Sequence, residues 1–385
     1  MKRFLLLIIP VLLMSCSVNK QKTISQTISL RDSLDFSFPV EFRYTNKIKV
    51  INHDNYKELL AYNPTEHQVI AKYILALKNA PIDEEIKNSG IFIEVPVENI
   101  CCLSSTHVGA METLGLEDKV VGGINVDKYW SKSINQRVTD GDLKEVGTGM
   151  IASNEAIIAL RPNIVTTSDN SLMSKQQELA QIGITPVYNN DWRESSLLGR
   201  TEWLKVMALF FCENIKADST FNQLEANYYE IRDYANQQAQ SRPKVFVGQE
   251  TRGTWYIPGE ESYVASMIMD AAGSISTMPG EKTNYPCSFE KAYSEHHDAE
   301  YWLSLRANYI QTLQEFGANS EHYTRFKAFQ LGNVFLNNKR VNTVGGNDFW
   351  ESGVYRPDIV LKDLVKIIHP ELYPEYEPVY WRKLH

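Results

Sequence analysis

The chain has 385 residues, of which 43% are hydrophobic and 22% charged, and a formal net charge of -8. That length exceeds what one hydrophobic core organises, so two lobes are expected. The acidic balance, with no long run of Lys or Arg, excludes nucleic acid as the main partner, because phosphate binding needs clustered cations.

Lys2 and Arg3 precede an apolar run, FLLLIIPVLLM, that is too short to span a bilayer comfortably and ends at Ser15 and Cys16. This resembles a bacterial lipoprotein signal, with residues 1–15 removed and Cys16 acylated as the first residue of the mature chain. A plain secretory signal with an incidental cysteine is the alternative. The polar stretch SVNKQKTISQTISLRDS that follows has the composition of a flexible tether, assigned to 16–37. The expected location is therefore the periplasmic face of the cell envelope, lipid-anchored through Cys16. Of the other cysteines, neighbours Cys101 and Cys102 would form only a strained ring, while Cys212 sits in an apolar helical run and Cys287 in a loop. Buried thiols or one long-range bridge both fit, and no CxxC spacing suggests a metal site.

Residues 38–96 read as short strands and turns around one helical patch, TEHQVIAKYILALKN, closing on the buried-strand run GIFIEVPVENICCLS. From residue 97 strands alternate with helices, which implies a parallel sheet covered on both faces. NICCLSSTHVGAMETLGLEDKVVGG is strand, Ser/Thr cap, helix, glycine stop and strand. SNEAIIALRPNIVTTS repeats the unit with Ser153 as N-cap, and SKQQELAQIGITPVYNN supplies another helix, broken at Gly183, and a strand. A long helical region, Leu197 to Gln238, follows with polar ends, an apolar middle and an expected bend near Asn214. After Pro243 the same grammar restarts in RPKVFVGQETRGTWYIPGEESYVASMIMDAAGS, SFEKAYSEHHDAEYWLSL and SEHYTRFKAFQLGNVFLNN.

The phrases CLSSTHVGAMETLG, SNEAIIALRPNIV, LGRTEWLKVMALFF, SFEKAYSEHHDAEYWL and DFWESGVYRPDIVLKDLVKIIHPELYP occur in this order. So ordered, the chain resembles the substrate-binding lipoproteins of ABC importers that carry iron-siderophore complexes, cobalamin or haem. The resemblance covers roughly residues 97–373. It implies an α/β fold of two three-layer lobes with mostly parallel sheets, joined by one long rigid helix, with the ligand cleft between them. The N-lobe would be 97–196, the linking helix 197–238, the C-lobe 239–373 and the tail 374–385, behind the strand-rich extension 38–96. It also implies a monomer that delivers its ligand to a permease and, through it, to the ATPase subunits.

In that family a glutamate on the outer surface of each lobe pairs with permease arginines; by position these would be Glu155 and Glu290. An exposed carboxylate facing Arg forms a bidentate contact that sets register, although both positions would equally complement a helix dipole. Ligands of open α/β sheets bind beyond the carboxyl ends of the strands, so aromatic-rich loops there are candidate contacts. Trp130, Trp255 and Trp350 are expected to supply ring faces, with Tyr129, Arg252 and Arg356 as further contacts, Arg answering an anionic chelate. A bare Zn or Mn site would draw on His107, His296, His297 and Asp298. No GxSxG, GxxxxGK[ST], HExxH or dinucleotide fingerprint occurs, so neither catalysis nor a cofactor is expected. A tethered hydrolase or a glycan-binding surface protein is the remaining alternative.

Overall fold

The structure is a computed structural model that describes residues 29–63, 68–149, 151–168, 170–305 and 309–385. The signal segment 1–15 and Cys16 lie outside the described residues. Among those described, no helix is long and apolar enough to cross a membrane.

The extension is a four-stranded sheet in the order β1 (Ile48–Asn52), β2 (Tyr56–Tyr62), β3 (Val69–Leu77), β4 (Ile91–Val95). The patch expected to be helical is β3. It pairs antiparallel with β2 and parallel with β4, and Tyr73, Ile74, Leu75 and Ala76 are fully buried. A run buried on both faces carries no alternation, so its periodicity cannot separate strand from helix. The Tyr73 hydroxyl donates to the Pro186 carbonyl (3.2 Å) and accepts from the Tyr188 N–H (2.9 Å). Extension and N-lobe share one core, from Phe36 and Ile48 to Ile100, Trp203 and Phe210, so packing does not break at residue 96.

The N-lobe sheet comprises β5 (Ile100–Cys102), β6 (Val120–Ile124), β7 (Lys144–Thr148), β8 (Ile151–Ala152), β9 (Ile164–Thr167) and β10 (Thr185–Tyr188), in the order β10-β9-β5-β6-β7-β8. Only the β8 pairing is antiparallel. The C-lobe sheet orders β11 (Val245–Val247), β15 (Tyr301–Ser304), β16 (Val334–Leu336) and β17 (Arg382–Lys383), parallel except at β17. Beside it lies an antiparallel sheet of β12 (Gln249–Thr251), β13 (Thr254–Ile257) and β14 (Tyr285–Cys287). Serine caps start the helices that follow the strands: Ser104, Ser153, Ser262 and Ser288 each accept a backbone N–H of the first turn.

Three boundaries differ from expectation. The end of the tether is folded: the helix Leu30–Ser37 places Asp35 where its carboxylate accepts the N–H groups of Asn214 (2.7 Å) and Ile215 (3.1 Å), capping the long helix. The linker is three helices, Leu197–Glu202, Leu204–Leu209 and Asn214–Gln238, with Cys212 in the left-handed region at the second break. The segment 374–385 is no loose tail, because Tyr380, Trp381 and Leu384 are buried and the Asp363 carboxylate accepts the N–H groups of Val379 (2.8 Å) and Tyr380 (2.7 Å).

The lobes are joined twice. Leu197 and Leu198 pack in the C-lobe core and Trp203 to Cys212 in the N-lobe core. A strap of residues 339–356 then leaves β16 and crosses back. Glu351 accepts the N–H groups of Trp130 and Ser131, both at 2.8 Å. Val354 offers its carbonyl to Thr201 Oγ1 (2.7 Å), and Gly109 lies so close to the Glu351 carbonyl that a Cβ would meet it at 2.3 Å. Asp348 on the same strap pairs with Arg340 (2.6 Å), and Glu112 faces it from the N-lobe, accepting from Ser131 Oγ (2.9 Å).

Removing residues 374–385 should destabilise the C-lobe by at least about 3–5 kcal/mol, the scale of truncating one buried Trp, read as a lower urea midpoint. The Glu351 carboxyl is pushed from an ordinary 4.5 up to about 7, first by burial, with Asp348 and Glu112 adding to the rise and the two N–H bonds opposing it. Between those values the native state holds a proton that the unfolded chain has released. The contribution of this group is therefore fully present below about pH 4.5 and falls by roughly 3 kcal/mol as pH rises to about 7. Glu351→Gln should flatten that slope when unfolding free energies at pH 5 and pH 7 are compared.

Candidate functional site

A cavity of about 860 Å³ opens between the lobes. Its lining combines residues 104–106 and 192–195 from the N-lobe side, Arg200 from the linker, Trp350 from the strap, and residues 256, 261–264 and 282–284 of the C-lobe. Asn46 and Lys47 of the extension complete it. The position follows from the fold: Ser104, beyond β5, and residues 192–195, beyond β10, stand at carboxyl ends of N-lobe strands. Tyr256, Tyr263, Trp192 and Trp350 supply ring faces. Among the described residues of the lining, four cations, Lys47, Arg193, Arg200 and Lys282, face two carboxylates, Glu194 and Glu261, in a chain whose net charge is -8.

Arg200 is the dominant polar feature. It is 5% exposed, its guanidinium lies 5.1 Å from the Tyr263 ring centre and 5.4 Å from that of Trp350, and its Nε has no hydrogen-bond partner. Burial pushes the Tyr263 hydroxyl up, opposed by the charge of Arg200 and by its hydrogen bond. Around it, buried His107 Nδ1, Asp191 Oδ2 and the Tyr355 hydroxyl also lack partners. Burial lowers the His107 pKa, against the pull of Asp191, and raises that of Tyr355, where Asp191 adds and Arg200 opposes. Buried polar atoms are normally hydrogen-bonded; of these four groups only Arg200 lines the cavity, so its Nε is the bonding capacity offered there to a bound molecule or to water. A cation already stacked between two rings is preorganised to meet an anionic group without reordering.

The six expected contacts do not converge. Trp350 lines the cavity. Trp255 does not: it is 1% exposed, inside an aromatic cluster with Phe246, Trp302 and Phe326. Strand alternation decides this, since β13 turns Trp255 inward and its neighbour Tyr256 to the cavity. Tyr129 is 2% exposed and donates to the Cys102 carbonyl (3.3 Å), with Gly123 beneath it where a Cβ would meet the hydroxyl at 2.1 Å. Trp130 is half-buried outside the cavity, with the Arg340 guanidinium 5.2 Å above its ring. Arg252 is exposed on the β12–β13 turn at φ +51°, and Arg356 is spent on a bidentate pair with Asp358, both bonds 3.0 Å. Arg200, Tyr263, Lys47 and Lys282 were missed. Arg200 gave one signal, a charge inside the apolar phrase LLGRTEWLKVMALFF.

Glu155 and Glu290 occupy equivalent places on the two lobes. Each is exposed, one residue into its helix and two past its Ser cap, and Ser153 Oγ donates to Glu155 at 3.0 Å. Each carboxyl is held below its usual range, first by its own backbone N–H and then by the cap serine. The metal-site candidates are dispersed. His107 is buried in the N-lobe, His296 is buried against Phe246 in the C-lobe, His297 is exposed, and Asp298 pairs with Lys244 (2.6 Å). Among the described residues no three His, Cys, Asp or Glu side chains gather as a metal would require. Cys101, Cys102, Cys212 and Cys287 are free thiols.

The sequence profile of the periplasmic binding protein family matches residues 100–341. An uncharacterised lipoprotein of Methanocaldococcus jannaschii is 26% identical over 350 residues, which cover 85% of this chain and 78% of that one. A periplasmic binding protein of Veillonella parvula superposes with a TM-score of 0.57 at 14% identity, over 85% of this chain and 99% of that one. A periplasmic haem-binding protein of Pseudomonas aeruginosa gives 0.56 at 16% identity, over 75% and 98%. With the profile spanning more than half of its residues, and with the two-lobed α/β fold expected from the ordered phrases, the chain belongs to the periplasmic binding protein family.

Proposed function

We propose that the protein is a membrane-tethered, extracytoplasmic receptor that captures an iron-siderophore, haem or corrinoid-type ligand in the interlobe cleft and delivers it to an ABC permease. The observation that carries this reading is Arg200, a buried guanidinium between Tyr263 and Trp350, with an unpartnered Nε, in a cavity of about 860 Å³. Ring faces and cations together suit a flat chelate with a charged edge. The cationic excess of the lining favours haem or a ferric catecholate over an uncharged corrinoid. The haem-binding character of one structural neighbour points the same way.

Delivery rests on Glu155 and Glu290. Their carboxylates are fixed by their own helix starts and stay charged, so they can form bidentate contacts with arginines of a permease at two points. The linker, packed into both cores, limits how far the lobes separate. Small changes in the spacing of the two glutamates would then distinguish loaded from empty receptor. Lipid attachment at Cys16 would hold the receptor beside its permease, with ATP hydrolysed by the partner subunits.

Mixing purified protein with haemin, ferric catecholate and cyanocobalamin should shift the visible spectrum of at least one at stoichiometric protein; no shift with any of them would exclude the reading. Arg200→Met should weaken the anionic ligands about 10-fold to 100-fold, the scale of a charged hydrogen bond, and leave cyanocobalamin less affected. Reversing both Glu155 and Glu290 to Arg should abolish cellular uptake with ligand affinity unchanged; retained uptake would remove the docking role.

A further inference from the structure

The family profile begins at residue 100, yet Asn46 and Lys47 line the cavity from a segment well before it. That segment is fixed more firmly than a loop needs for packing alone. Glu202, fully buried in the linker, accepts the N–H groups of Arg43 (2.7 Å), Tyr44 (2.8 Å) and Thr45 (3.0 Å). Thr45 Oγ1 donates to Glu194 (2.5 Å) and accepts the Lys47 N–H (3.1 Å). The Tyr44 hydroxyl bonds Glu225 and Tyr229 on the long helix, and the Lys47 carbonyl accepts the Tyr62 N–H (2.8 Å). Lys47 Nζ then lies 3.2 Å from Glu194, whose other oxygen accepts the Trp203 indole N–H (2.8 Å).

From this geometry we infer that Asn46 and Lys47 of the extension, held in place by residues 43–45, form a third wall of the ligand cleft, and that Lys47 is a specificity-determining residue favouring anionic ligands. The inference rests on the receptor reading of the cleft. Glu194 balances Lys47 locally and holds its ammonium at the cavity surface in one position, so the charge is presented without an ordering cost when a ligand enters. Without Lys47 the lining, among the described residues, keeps three cations against two carboxylates and leaves Glu194 without its cationic partner, held by Thr45 and Trp203 alone. An anionic ligand would then meet repulsion at that wall, and an uncharged one would not. Asn46, exposed beside it, is the position where added bulk would enter the cavity without disturbing a core.

The test measures affinities of haemin, the ferric complex of 2,3-dihydroxybenzoate and cyanocobalamin for the intact protein and for Lys47→Gln and Asn46→Trp, with thermal melts confirming that each is folded. Lys47→Gln should weaken the two anionic probes about tenfold or more relative to cyanocobalamin, and Asn46→Trp should weaken every probe that binds by a similar factor, the scale of a single pocket group. Binding of any probe by the wild type with both variants unchanged would overturn the third wall alone. An equal loss across all probes for Lys47→Gln would overturn its role in specificity. A wild type that binds none of the three would overturn the receptor reading and, with it, this inference.

Discussion

Two buried carboxylates on or beside the linker, Glu194 and Glu202, pin the extension to the N-lobe and the linker. Glu202 terminates the backbone of residues 43–45, and Glu194 gathers Thr45, Lys47 and Trp203. Burial raises the Glu194 pKa, while its bonds to Thr45, Lys47 and Trp203 pull it back. Buried charges are tolerated only when so fully bonded, and removing any partner leaves a desolvated group. The extension, the N-lobe and the linker are thereby committed to a single arrangement around the cleft.

The same economy explains why the lobes are expected to move little. The linker changes partner along its length: its first turn belongs to the C-lobe core, its middle to the N-lobe core, and Tyr228 and Ala235 to the C-lobe again. The strap adds a second crossing through Glu351 and Val354. Large opening would have to expose apolar surface in both cores and orphan backbone donors at Trp130 and Ser131. The interlobe cavity is thereby preformed, and Arg200 stacked between two rings is the clearest instance of that preorganisation.

Much of the fold was legible because local chemistry and global fold agree where strands alternate with helices. Ser153 was expected as a cap and is one, as Ser288 is in the C-lobe; the break near Asn214 was expected and occurs where Asp35 takes over the helix start. The failures share a cause. In β3 the stretch Tyr73 to Ala76 is buried on both faces, so neither period shows. Residues 374–385 were assigned as a tail because their anchors, Tyr380 and Trp381, find their pocket only through Asp363 and the C-lobe core.

What the sequence determined by itself was the order of elements, the caps and the paired placement of Glu155 and Glu290 after them, which depend on neighbours within one turn or strand, and the two-lobed class, which followed from length and the order of the phrases. Which aromatics face the interlobe cavity was decided by the tertiary structure. Trp255 and Tyr256 are adjacent and alike in composition, and strand pleating sends one to the core and the other to the cavity. Arg200 reads as a stray charge in an apolar helix until Tyr263 and Trp350, 63 and 150 residues further along, close around it. Contacts so distant in the chain leave no local pattern, because their cause is the packing of two lobes and a strap against one linker.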